Sequence, residues 1–322
     1  MARVMTITLN PALDLAFDLE ELTLGAVNRP RHAQLEAAGK GVNVARVLAS
    51  LGHDVVVSGF LGRDNDGPFQ LAFEHMGVTD AFVRVPGETR INAKLAEKNG
   101  RVTDINGPGI GVDATQVTAL LSAIEQQLNA APVDAILVAG SLPPGLSLAA
   151  FSEFLTHLKA TGVPLWIDTS GEALLGAIKI APEAVKPNEV ELADWAGAPL
   201  DNHAKRLNAT TRLHQAGIRQ ALLSAGAEGV IWVNASGAWQ STPPRVQATN
   251  TVGAGDTFVA GMLHGLLSQQ SSEDTLRFAT ALSAESVRHV GVGNAHADDF
   301  ALLLQRTQVQ RLRGSHIEGT SR

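Results

Sequence analysis

Short apolar runs rich in strand-forming residues recur in this chain at 4–9, 55–60, 135–140, 164–168, 221–224 and 230–233, and segments with helical spacing of apolar residues separate most of them. No other feature limits the fold as strongly. The alternation predicts an α/β protein whose mainly parallel sheet is covered on both faces, with ligands bound at the carboxyl ends of the strands. Two stretches depart from it. In Leu13-Asp14-Leu15-Ala16-Phe17-Asp18-Leu19 and Thr89-Arg90-Ile91-Asn92-Ala93-Lys94-Leu95 the apolar residues mostly alternate, which is the signature of strands with one polar face. Arg90, Asn92 and Lys94 then share a face. Such strands suit a small sheet at one end of the main one, a lid whose polar side closes on a ligand and whose apolar side (Leu13, Leu15, Ile91, Leu95) meets a second copy of the chain.

Composition narrows the function classes. The 322 residues fit one long α/β domain over 1–305, with lid strands from about 10–35 and 88–108. A polar tail over 306–322 carries no apolar periodicity and is expected to be disordered. No stretch of 18 apolar residues occurs, so no membrane span is expected, and the opening run is too short and polar for a signal peptide. The absence of cysteine excludes disulfides, thiol nucleophiles and zinc–thiolate sites, and points to the cytoplasm. A net charge of −7 without a long basic block argues against nucleic acid as partner, so an anionic ligand must be held by local groups. The ten histidines show no metal-ligand spacing.

The strongest local signal is Thr251-Val252-Gly253-Ala254-Gly255-Asp256-Thr257, between a strand-like run at 245–250 and a segment at 258–267 with helical periodicity. Small residues bare the backbone, and the first turn of a helix offers unpaired N–H groups and a partial positive charge, a combination that binds phosphate. An acid inside an anion site needs a reason, and accepting a proton from an attacking hydroxyl supplies one. The same residues also make a tight turn capped by Asp256, and the motif alone does not separate the two.

Other turns are equally two-sided. Ala38-Gly39-Lys40-Gly41-Val42-Asn43 puts a lysine between glycines before a helical segment at 44–51, fitting either a phosphate or sugar site or a plain helix start; the P-loop spacing is absent. Asn188 and Glu191, after Lys186-Pro187, are one helical turn apart and suit either waters around Mg²⁺ or a capping box. Ser224-Ala225-Gly226-Ala227-Glu228-Gly229 joins two strands, and Ser141 follows the strand end at Gly140.

Taken in order, these pieces resemble the pfkB family of sugar kinases over residues 1 to about 305. Carrying the resemblance are Leu9-Asn10-Pro11-Ala12-Leu13-Asp14, Gly39-Lys40-Gly41-Val42-Asn43, Thr89-Arg90-Ile91-Asn92-Ala93-Lys94, Gly140-Ser141-Leu142-Pro143, Lys186-Pro187-Asn188 through Glu191, and Thr251 through Asp256. Ala38 departs from the glycine that many members carry and adds a methyl beside the sugar site. The resemblance implies a ribokinase-like three-layer α/β/α fold with a β-sheet lid. It is nearest to the phosphosugar branch, and so implies transfer of the ATP γ-phosphoryl group to the C6 hydroxyl of fructose 1-phosphate. Fructose 6-phosphate and tagatose 6-phosphate are the rival substrates. A non-catalytic sugar-phosphate sensor would not need Asp256, and a dinucleotide-dependent oxidoreductase would need a GxGxxG after the first strand, which is absent.

By the same resemblance Asp256 is the catalytic base, with Gly253, Ala254 and Gly255 as the anion hole. Asp14, Gly39, Lys40, Asn43, Arg90 and Ser141 bind the sugar phosphate, with Lys94 a further cation nearby. Lys186, Asn188, Ser224, Ala225, Gly226, Ala227, Glu228, Gly229, Thr251, Gly255, Thr280 and Ala284 bind ATP, and Glu191 serves Mg²⁺. A monovalent cation such as K⁺ belongs near Asn250, Val252 and 289–293, and the expected assembly is a homodimer through the lids.

Overall fold

A computed structural model describes residues 1–312 of the chain. They divide into two compact units, Met1–Val163 and a second that starts at Pro164.

The first unit contains, in chain order, β1 (Arg3–Thr8), β2 (Ala12–Leu19), β3 (His32–Ala38), α1 (Lys40–Ser50), β4 (Asp54–Gly62), α2 (Gly67–Met76), β5 (Thr79–Val85), β6 (Ile91–Glu97), β7 (Val102–Asn106), α3 (Ala114–Ala130), β8 (Ala135–Ala139) and α4 (Leu148–Ala160). Four of its strands form a wholly parallel arrangement in the order β8-β1-β4-β5. Residues Val4, Met5, Ile7, Val55, Val56, Val57, Ile136 and Leu137 are buried, because inner parallel strands have no wet face. Helix α1 buries Val42, Val44, Ala45, Val47 and Leu48 on one stripe, the 3.6-residue spacing the sequence carries.

The other four strands make a small sheet in the order β3-β2-β6-β7. Here β2 is antiparallel to β3 and parallel to β6, with Leu13 opposite Ile91 and Asp14 opposite Asn92. Strand β7 returns antiparallel, setting Asp104 opposite Lys94. The two-residue period therefore collects Asp14, Asn92, Lys94 and Asp104 on one face and Leu13, Leu15, Ile91, Leu95, Leu35 and Ile105 on the other. Arg90 precedes β6 rather than lying within it.

The second unit contains β9 (Leu165–Asp168), α5 (Gly171–Lys179), β10 (Ala184–Val185), α6 (Glu189–Ala196), α7 (His203–Gln215), β11 (Gln220–Ser224), β12 (Val230–Asn234), β13 (Gly237–Thr242), α8 (Ala254–Leu267), α9 (Ser272–Ser286), α10 (Phe300–Arg306) and β14 (Gln308–Leu312). Its strands run β14-β13-β12-β11-β10-β9. Strands β9, β10 and β11 are parallel, and β12 and β13 each pair antiparallel with the strand before, as short connections allow, whereas β14 reaches its antiparallel place beside β13 only after α8, α9 and α10. This fold is the expected ribokinase-like α/β class.

Three local expectations change. Residues 245–250 form no strand: Pro243 and Pro244 remove ladder donors just before, and the N–H groups of Thr249 and Asn250 both donate to the carbonyl of Val287, at 2.7 and 3.1 Å. The tail is ordered through 308–312, where β14 pairs with β13; residues 313–322 lie outside those described. Helix α1 starts at Lys40, four residues before the expected segment at 44–51, and takes Val42 into its buried stripe. Among the described residues no helix is long and apolar enough to cross a membrane.

Candidate active site

In the first unit, Gly39 caps α1 at φ 132°, a region that excludes side chains, and no side chain folds back onto the first turn. A Cβ there would stand 2.9 Å from Thr8 Cγ2 and 3.2 Å from Pro11 Cα, so glycine lets the helix start pack on the turn after β1. Lys40 and Asn43 occupy the first turn. Asn10, whose role the sequence did not disclose, gathers three loops: its Nδ2 lies 3.1 Å from Ser141 Oγ, 3.2 Å from the Leu142 carbonyl and 3.3 Å from that of Pro108.

Arg90 was expected at the sugar phosphate. Its guanidinium donates instead to backbone carbonyls, from Nε to Pro11 (3.2 Å), from Nη1 to Gly107 (3.0 Å) and from Nη2 to Asn10 (2.8 Å). Burial lowers its pKa, opposed by the charge of Asp14. Asp14 in turn accepts from Asn92 Nδ2 at 3.0 Å, and Lys94 Nζ lies 3.4 Å from Asp14 and 3.5 Å from Asp104. Two carboxylates thus share the charge of Lys94.

In the second unit, Gly253 caps α8 at φ 84° and, as at α1, no side chain caps the first turn. That turn is Ala254, Gly255 and Asp256, and Asp256 is buried. The stretch expected to hold a cation backs onto it: Gly293 N donates to Thr257 Oγ1 at 3.1 Å, and a Cβ on Gly253 would meet the Gly291 carbonyl at 3.3 Å.

A cavity of about 600 Å³ opens beside the turn. Lys186, Ser224, Gly226, Ala227, Gly229, Thr251, Ala254, Gly255 and Ala284 line it, together with apolar Val230, Val246, Ala248, Phe258 and Val287. A volume of this size, mainly apolar with a few convergent polar groups, suits a nucleotide. Asn188, Ala225, Glu228 and Thr280 do not line it. Thr280 is buried and donates to Ser241 Oγ at 2.7 Å, and Glu228 pairs with Arg206.

Asn188 and Glu191 form a full capping box: Glu191 N donates to Asn188 Oδ1 at 2.9 Å and Asn188 N donates to Glu191 Oε2 at 2.8 Å. A bridge pairs Asn188 with Ser224, so two strand ends meet here. Among the described residues no group of three or more His, Asp or Glu side chains gathers as a metal cage. Magnesium bound to phosphates needs only one or two carboxylates, so Glu191 still fits that part. Asp168, not singled out in the sequence, is buried at the end of β9 with an oxygen 3.5 Å from Lys186 Nζ. Its signal was the acid closing the apolar run Leu165-Trp166-Ile167.

A buried acid at a bare helix start, beside a nucleotide-sized apolar cavity, is the arrangement of an α/β phosphotransferase. The chain belongs to the pfkB family of carbohydrate kinases, which it matches over residues 7–299. It is 45% identical over 312 residues to 1-phosphofructokinase of Escherichia coli (strain K12), covering 96% of this chain and 98% of that one. With 1-phosphofructokinase of Vibrio cholerae serotype O1 the identity is 43% over 310 residues, covering 96% and 97%. Among solved structures it is similar to Escherichia coli phosphofructokinase-2 in complex with potassium, with a TM-score of 0.86 and 27% identity over 95% of this chain and 99% of that one.

Proposed function

We propose that this chain transfers the γ-phosphoryl group of ATP to the C6 hydroxyl of fructose 1-phosphate, giving fructose 1,6-bisphosphate and ADP. The observation that carries the reading is Asp256, an acid buried in the uncapped first turn of α8. The identity of 43–45% to enzymes named 1-phosphofructokinase, over nearly the whole length of each, supports this choice of substrate.

In the proposed mechanism a carboxylate oxygen of Asp256 accepts the proton of the C6 hydroxyl as the hydroxyl oxygen bonds to the γ-phosphorus and the bond from that phosphorus to the β–γ bridging oxygen breaks, releasing ADP. The transition state is loose and the hydroxyl stays mostly protonated until late, so a weak base that orients the nucleophile is enough. Backbone N–H groups at 253–255 take up charge on the equatorial oxygens. The cavity residues, Lys186 among them, hold the nucleotide, and Asp14, Gly39, Lys40, Asn43 and Ser141 hold the sugar phosphate, with Arg90 fixing the turn after β1 beside them. Mg²⁺, when bound near Glu191, neutralises phosphate charge. Backbone groups near Asn250, Val252 and 289–293 would hold a monovalent cation such as K⁺. We further propose one kinase domain over 1–305, acting in the cytoplasm as a homodimer that meets through the small sheets.

ADP release on addition of each of three phosphosugars tests the reading. Fructose 1-phosphate should exceed fructose 6-phosphate and tagatose 6-phosphate in kcat/KM by at least about tenfold, or about 1.4 kcal/mol. A higher value for either rival would move the substrate, and no ADP release with any of them would sink the kinase assignment.

A further inference from the structure

We infer that Asp168 is a positioning residue for the nucleotide phosphates, holding Lys186 against the first turn of α8; this rests on the kinase reading above. Strands β9 and β10 are paired with Ile167 opposite Val185, so the next residues, Asp168 at the end of β9 and Lys186 just past β10, stand side by side. Both are buried, at 4% and 8% exposure, with the ammonium 3.5 Å from the carboxylate. The same ammonium reaches α8: a Cβ on Gly255 would lie 3.5 Å from Lys186 Nζ. Lys186 also lines the cavity.

Burying a carboxylate next to an anion site is costly, and a buried ion pair is weak grounds for stability, since removing both charges is often neutral. The arrangement is accounted for by what it does to the lysine. A free lysine stem samples many rotamers, and ordering it when a polyphosphate arrives consumes binding energy. Anchored to the end of β9, the ammonium already stands where phosphate oxygens approach the helix start. Asp168 then acts through Lys186 and needs no contact with the nucleotide.

A double-mutant cycle separates this from a structural role. In the full chain, Asp168→Asn should lower kcat/KM for ATP about 10- to 100-fold, the factor a charge-assisted hydrogen bond supplies. KM for fructose 1-phosphate should stay within about twofold. In the Lys186→Met background, where the ammonium is already gone, Asp168→Asn should cost little further. Equal factors in both backgrounds, or no effect in either, would overturn the inference. If Asp168→Asn does not fold, the pair Asp168→Asn/Lys186→Met decides by circular dichroism: a folded pair supports action through Lys186, and an unfolded pair overturns it. A wild-type chain without turnover would be a failure of the kinase reading alone, because the same cycle can be read as ADP affinity by calorimetry.

Discussion

Nη2 of Arg90 donates to the backbone carbonyl of Asn10 at 2.8 Å, and the same guanidinium holds Pro11 and Gly107. One side chain thereby ties the turn after β1 to the exit from β7. Lysine keeps the charge but cannot span three carbonyls. Arg90→Lys should cost about 1–2 kcal/mol of stability, roughly one or two hydrogen bonds, visible as a lower Tm in calorimetry. KM should rise together for fructose 1-phosphate and for unphosphorylated fructose. A rise for the phosphorylated sugar alone, at unchanged Tm, would return Arg90 to the phosphate.

Asp256→Asn keeps the shape of the first turn of α8 but cannot take the proton. With Asp256 as base, kcat should fall by at least about 10²-fold, within the range of general-base effects, while ADP affinity stays close to wild type. A near-normal kcat would remove Asp256 from that role.

Glu191→Gln isolates the metal role, because glutamine at the third helical position still closes the box with Asn188. Tm should hold, while the Mg²⁺ concentration for half-maximal rate rises about tenfold or more, as when a supporting carboxylate is lost from a metal site. An unchanged Mg²⁺ titration would leave Glu191 with capping alone.

Leu35, Ile91 and Ile105 stand 44%, 46% and 59% exposed on one face of the small sheet. Apolar area so placed favours a partner surface, and a homodimer through these faces is expected by light scattering at micromolar concentration. Ile105→Asp should shift it to monomer. An active wild-type monomer would end the proposal.

His289 lies 2.9 Å from Glu285, whose other oxygen accepts from Asn294 N at 2.6 Å, so the ring, when protonated, fastens the 289–294 loop. Its pKa is raised, first by the hydrogen bond with the Val290 carbonyl and then by Glu285, against burial and the nearby Arg288. A raised folded value means the stabilisation is full below the unfolded value, near pH 6.5, and is lost as pH rises through the folded one. The Tm difference between wild type and His289→Gln should therefore be larger at pH 6 than at pH 8.5. The reverse order would contradict the assignment.

By itself the sequence determined whatever depends on local spacing. Alternation in 13–19 and 89–95 marks a sheet with unlike faces, and β2 and β6 have that form. The glycines around Asp256 mark a bare helix start, and α8 begins there. The three-residue interval from Asn188 to Glu191 suited a capping box or waters around Mg²⁺, and the box is present. Partners far apart in sequence were not legible, because periodicity carries no information about which strand end lies beside which. Only the tertiary structure brought Arg90 to carbonyls about 80 residues upstream rather than leaving its fork free, and shared Lys94 between Asp14 and Asp104. It also turned Thr280 toward Ser241 and made β14 from a polar tail. Asp168 and Lys186 show the reason most plainly: 18 residues apart in the chain, they become neighbours because β9 and β10 are hydrogen-bonded in parallel register, a pairing set by the burial of both strands rather than by either residue.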